Sequence, residues 1–236
     1  MVYIDTHMEL KYITCSKLLC NKLATLGLKR KNQSDFICKR NGFVQTLSFC
    51  HSVWQPHTRD YYIIVGLSFT ELEQMAMSMG VYSAGGWGKN VGQLMPENSF
   101  KEWHVENSST EEDVQDVVTE MLSFIETYAI PFFDKLSDIN KLIYELEEGN
   151  SLVPRHADYN LPLLYDIVGD KECAIRYVNQ ELERKESKWR MSILRDALEQ
   201  NNFSNMSSAE REYRAYKDFA GQFFRRIGAK TGTDAG

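Results

Sequence analysis

The sequence predicts an α+β fold: an antiparallel, twisted sheet of about five strands covered by helices, followed by an all-helical C-terminal extension. Three observations predict it. The dipeptide Asn41-Gly42 separates two β-patterned runs, a third alternating run (YYIIVGLSF, 61–69) follows, and from residue 109 onward the apolar spacing is helical.

Residues 10–28 open as an amphipathic helix. Ile13, Leu18, Leu19, Leu23 and Leu26 share one side, and Gly27 is a natural stop. Asn-Gly is the preferred pair for a two-residue type I′ turn, because both central residues need positive φ. That turn fixes the register: Arg40 faces Phe43, Cys38 faces Gln45, and Phe36 faces Leu47, with Phe49 and His51 continuing the same face. The alternation puts Phe36, Phe43, Leu47 and Phe49 in the core, and Val44, Thr46, Ser48 and Cys50 on the other side. In the third strand Tyr61, Ile63, Val65, Leu67 and Phe69 share a face. The connection from Ser52 to Asp60 contains Pro56 and leaves the sheet. VGQL (91–94) and FKEWHV (100–105) are predicted to form a second hairpin.

Ser109-x-x-Glu112 has the pattern of a capping box that opens a helix, with Pro131 ending or kinking it. A shorter helix at 136–147 closes at Gly149. The polar stretch 150–160 marks a boundary, so the expected domains are an α+β unit over 1–149 and a helical extension packed on it over 150–227. Helices are expected at 160–168, 170–200, and from the Ser207–Glu210 box to about 227, with residues 228–236 a disordered tail.

Composition narrows the function classes. The net charge of −6 is uneven, +2 over residues 1–109 and −8 over 110–236, and an acidic half repels a phosphate backbone, so nucleic acid is disfavoured. The five cysteines are an odd, scattered set without a CxxC pair, which fits reduced thiols rather than a disulfide framework. No basic stretch followed by an apolar run opens the chain, and no apolar run reaches the ~18 residues of a membrane span. The expectation is a cytoplasmic protein with no membrane partner.

The stretch LATLGLKRKNQSDFICKRNGFVQTLSFCHSVW, with Ser52 and Trp54 in a Ser-x-Trp pattern, resembles the opening of the bacterial "domain of unknown function 4304" family. Gly92-x-Leu94, Trp103 and ETYAIPFFDKL (126–136) are similar to its later part, so the resemblance spans about residues 15–148. It implies a bacterial protein with this fold, carries no established activity, and extends by association to an immunity-type role, neutralising a partner toxin.

Several constellations could carry chemistry. Cys50 beside His51 suggests a nucleophile pair, but adjacent strand residues point to opposite faces. His51, His57 and His104 could ligate a metal or serve a hydrolase if a loop folded back. YSAGGWGKNVG (82–92) fails both the Walker and the dinucleotide patterns, since Ser83, Asn90 and Val91 stand where Gly, Ser/Thr and Gly are needed. It reads instead as a mobile loop presenting Trp87. Tyr213, Tyr216, Phe219, Phe223 and Phe224 form an aromatic stripe, either core or the seam of a homodimer through the C-terminal helices. The reading that follows is a non-catalytic protein-binding module without a cofactor. Its expected surface is the sheet face and rim around His51, Ser52, Trp54, Trp87 and Trp103. The rival is a metal protein or hydrolase built on His51, His57 and His104.

Overall fold

At the Asn41-Gly42 turn the backbone has φ of 53° and 80°, the left-handed pair that the dipeptide allows. The computed structural model describes residues 6–53, 58–82, 86–149, 157–198 and 207–228. Around the turn, β2 (Asp35–Arg40) and β3 (Phe43–Ser52) pair in the register set by a two-residue loop, Arg40 opposite Phe43 and Phe36 opposite Leu47. A Cβ on Gly42 would also lie 2.9 Å from the Phe69 ring, so this glycine serves both the turn and close packing.

The sheet is antiparallel and six-stranded. β1 (Lys29–Arg30) edges β2, β3 pairs with β4 (Thr58–Phe69), and the far side of β4 is shared by β5 (Gly86–Asn90) and β6 (Trp103–Glu106). Burial alternates along all twelve residues of β4, so one face is sealed and the other is open. Phe36, Phe43, Leu47 and Phe49 are each at most 2 % exposed, on the sealed face as expected. At about 1.5–3 kcal/mol per buried large apolar side chain, this layer supplies much of the unit's stability.

Helices of the same unit seal that face. From α1 (Thr6–Thr25), Tyr12 stacks on Phe49 at 5.0 Å and donates its hydroxyl to the Phe49 carbonyl oxygen at 3.2 Å. Lys11 ties α1 to the loop after β6, its Nζ donating to the carbonyl oxygens of Glu106, Asn107 and Ser109 at 2.6–2.8 Å. From α3 (Glu111–Phe124), Phe124 meets the Trp103 ring edge-on at 5.5 Å. The capping box sits one residue later than the sequence suggested. Thr110 is the cap and Asp113 its reciprocal partner, while the Ser109 hydroxyl accepts from the Glu106 N–H. Pro131 does not end the helical run. A π-helical turn over Ile125–Ala129 precedes α4 (Ile130–Leu136), where the proline occupies the first turn and needs no N–H.

The expected second hairpin between β4 and the helix that follows is corrected. VGQL is a 3-10 turn rather than a strand, because Asn90 caps it: its Oδ1 accepts from Gly92 N–H at 2.9 Å. The strand lies just before it, Gly86–Asn90, and β5 and β6 each pair with β4 instead of with each other. Asn90 also clasps Lys101, accepting from its N–H and donating to its carbonyl oxygen at 2.8 and 2.9 Å. A Cβ on Gly92 would approach the Ser99 carbonyl oxygen to 2.4 Å, so only glycine fits there.

Two compact units divide the chain, with bounds unlike the expected ones. The sheet unit comprises residues up to Thr70 and Gly86–Leu142, and the helical unit comprises Glu71–Gly85 and the chain from Ile143. The helical unit takes in most of α2 (Thr70–Ser78), a helix that no sequence signal announced, and the end of α5 (Ile139–Glu147). It continues with α6 (Ala157–Ile167), α7 (Lys171–Leu198) and α8 (Ser208–Ile227). In α6, Pro162 lacks the N–H that would reach the Asp158 carbonyl four residues back. The Tyr216 hydroxyl of α8 supplies the missing donor at 3.0 Å. The Asp158 carboxylate pairs at 2.7 Å with Lys185 of α7, itself nearly buried and over the Tyr216 ring. Trp189 stacks on Tyr213 at 5.1 Å, joining α7 to α8. The expected tail, 228–236, lies outside the described residues except for Gly228, the left-handed cap of α8. No described helix is long and apolar enough to cross a membrane.

Candidate functional site

The open face of the sheet is built from small side chains. Thr46 of β3, Gly66 of β4 and Gly88 of β5 lie abreast in the register, with no Cβ on two of the three. A Cβ on Gly66 would find Thr46 and the Trp87 carbonyl oxygen nearest, at 3.5 and 3.6 Å. One on Gly88 would find the Ile64 Cγ2 nearest, at 3.2 Å. All of these neighbours belong to the sheet itself, so the row is a shallow trough floored by backbone. Beside it stand Ile64 and Tyr62, and the Tyr62 ring meets Phe100 at 5.4 Å. Phe100 is 57 % exposed, an aromatic held outward by the Asn90 clasp one residue away. Val44, Thr46, Ser48 and Cys50 are all half-buried, consistent with a layer bounded by solvent.

The end of this face is polar. Ser52, Asp60 and His104 occupy successive strands in register. His104 Nδ1 lies 2.6 Å from the Asp60 carboxylate, and its Nε2 lies 3.6 Å from Glu106. The Asp60 hydrogen bond holds the His104 imidazole above its ordinary pKa, so the ring favours its charged form. The order along the row is serine, carboxylate, histidine. A nucleophile–base pair needs the histidine between the other two, and here the carboxylate separates them.

The structure disperses the residues expected to form the binding surface. Trp103 is only 3 % exposed, beneath Phe124 on the sealed face with Lys101 5.2 Å above its ring, so it is core rather than rim. Trp87 is no loop anchor: it stands on β5 opposite Leu67, facing the sealed side, half-buried. His51 opposes Tyr61 and Ser52 opposes Asp60, which puts these neighbours on opposite faces. Trp54 and His57 lie outside the described residues. Nothing in the sequence marks Phe100; the glycine row has a local signal only in Gly66, a glycine inside the β-patterned run 61–69.

The rival chemistry does not assemble. His51 shares a face with Tyr61 and Trp103, whereas His104 shares the other with Asp60 and Ser52. Among the described residues, no group of three histidine, cysteine or acidic side chains could hold a metal ion. Cys50 and His51 diverge as expected, and burial together with Asp35 raises the Cys50 thiol, the wrong direction for a nucleophile. Burial pushes Cys15 up to about 12. Most of the aromatic stripe of α8 is core: Tyr216, Phe219, Phe223 and Phe224 are each at most 2 % exposed, while Tyr213 is half-buried against Trp189. A cleft of about 690 Å³ between the ends of α7 and α8 is lined by Met191, Leu194 and Ala209 with Ser192, Ser207 and Lys188, and the Lys188 ammonium is paired with Glu212 at 2.8 Å.

No protein-family model, curated protein or solved structure matches this chain.

Proposed function

We propose that the sheet unit is a non-catalytic protein-binding module that receives its partner on the open face. The observation that carries this reading is the glycine-floored row Thr46–Gly66–Gly88 beside the half-buried Tyr62 and the exposed Phe100. A backbone floor admits a close approach, and an exposed aromatic with few rotatable bonds is the residue type that concentrates binding energy at an interface. The polar end, Asp60 with His104, supplies a charged rim. The resemblance to the domain of unknown function 4304 family extends the proposal to a bacterial, cytoplasmic protein of immunity type, with a toxin as the partner.

The test begins with tagged full-length protein expressed in its native host, with co-purifying proteins quantified for wild type and for Phe100→Ser. The expected result is one partner recovered in fixed proportion by wild type and reduced at least tenfold by the variant, with unchanged circular dichroism. This corresponds to about 1.4 kcal/mol or more at the contact. Equal recovery by both proteins would remove Phe100 and its face from the interface.

A further inference from the structure

We propose that Arg59 anchors a carboxylate-binding site at the end of the sealed sheet face, its guanidinium fork taking the two oxygens and the Tyr61 hydroxyl donating beside it. The site lies on the face opposite the trough, so it stands apart from the binding-module reading.

Arg59 is the fourth residue before Ile63 on β4 and opposes Val105 of β6, pointing to the sealed side. It is 7 % exposed, yet it makes no hydrogen bond or ion pair with any described residue. None of its nitrogens is among the fully enclosed unpartnered atoms, so the guanidinium still reaches solvent and is open to a group that completes it. Two residues along the same face, Tyr61 is fully buried and its hydroxyl also has no hydrogen-bond partner. Burial raises its pKa, so it remains a neutral donor. The strand thus presents a cationic fork and a hydroxyl donor side by side, and neither is matched by an acceptor among the described residues.

The surroundings select the charge of the ligand. His51, next to Tyr61 across the strand pair, is pushed toward its neutral form by partial burial and then by the Arg59 charge. It therefore adds no second full charge near neutral pH. Glu9 of α1 is near enough to act on both His51 and Tyr61, and it forms no ion pair with Arg59. A single guanidinium balances a monoanion, and the Glu9 charge near Tyr61 disfavours a dianion further. A singly charged, planar carboxylate matches both the charge and the parallel N–H geometry of the fork.

Calorimetric titration and thermal melts of the full chain, with sodium acetate as probe, inorganic phosphate as comparator and chloride holding ionic strength constant, test the proposal. Acetate is expected to bind saturably and raise the melting temperature, with phosphate binding at least tenfold more weakly. Arg59→Lys, which keeps the charge and loses the fork, is expected to weaken acetate at least tenfold, and Tyr61→Phe about fivefold, the loss of one hydrogen bond. Arg59→Met is expected to abolish the response and, in acetate-free buffer, to melt no lower than wild type, because Arg59 has no hydrogen bond or ion pair with a described residue to lose. The proposal is overturned by a wild type that does not respond to acetate, by phosphate binding equally well, by an undiminished response in folded Arg59→Lys, or by Arg59→Met melting below wild type without acetate.

Discussion

Two histidines of the sheet unit titrate in opposite directions, and the register explains why. His104, on the open face, gains the Asp60 carboxylate and is raised above the ordinary imidazole value of about 6.5. Its contribution to stability is present in full below that unfolded value and is lost as pH rises through the folded one. His51, at the exposed end of the sealed face, is lowered by partial desolvation and then by Arg59, so its contribution is present above about 6.5 and is lost as pH falls through the folded value. Proton NMR titration of the imidazole Hε1 signals should show His104 above and His51 below the ordinary value, and Asp60→Asn should return His104 toward it. A His104 midpoint at or below the ordinary value in wild type would contradict the Asp60 contact. None of this could be read from the two residues alone. Each is a lone histidine in a β-patterned run, and only the pairing of β3, β4 and β6 decides which has a carboxylate for a neighbour.

Among the elements, α6 shows how a sequence defect is repaired at a distance. Pro162 leaves the Asp158 carbonyl without its helical donor, and Tyr216, 58 residues later, replaces it. Tyr216→Phe should therefore cost about 1 kcal/mol, the loss of one hydrogen bond to a part-buried carbonyl. Pro162→Ala restores a backbone N–H, so it should recover most of that loss in the Tyr216→Phe background and change little in wild type. Chemical denaturation of the four proteins closes the cycle, and additive effects would refute the coupling. The sequence revealed elements where the signal was local. Asn41-Gly42 set the β2–β3 register, and Ser207 capped α8 by accepting from the Glu210 N–H. It failed where the deciding contact was remote or one residue away. VGQL became a 3-10 turn because the Asn90 side chain reaches Lys101, and the cap of α3 moved from Ser109 to Thr110 because the Ser109 hydroxyl accepts from Glu106. Hydrophobic pattern did not reveal α2 either, since TELEQMAMS buries only Leu72, Met75 and Ala76.

For the whole molecule, the α+β class and the helical character of the second half were legible in alternation and spacing. The candidate site was much less so. Sequence reading weighs conspicuous residues, and it singled out tryptophans and histidines, whereas the sealed face claimed Trp103 and turned Trp87 inward. What defines the open face is a shortage of side chain at Gly66 and Gly88, visible only once three strands lie abreast. This makes Gly66 the most direct probe. Its φ is not positive and a Cβ there meets no atom closer than 3.5 Å, so a side chain can stand up from the trough without straining the strand. The decisive measurement is calorimetric titration of the partner recovered from the native host into wild type and Gly66→Lys. A folded Gly66→Lys protein that melts within a few degrees of wild type should bind at least a hundredfold more weakly, about 2.7 kcal/mol. Wild-type affinity in that folded variant would place the interface elsewhere.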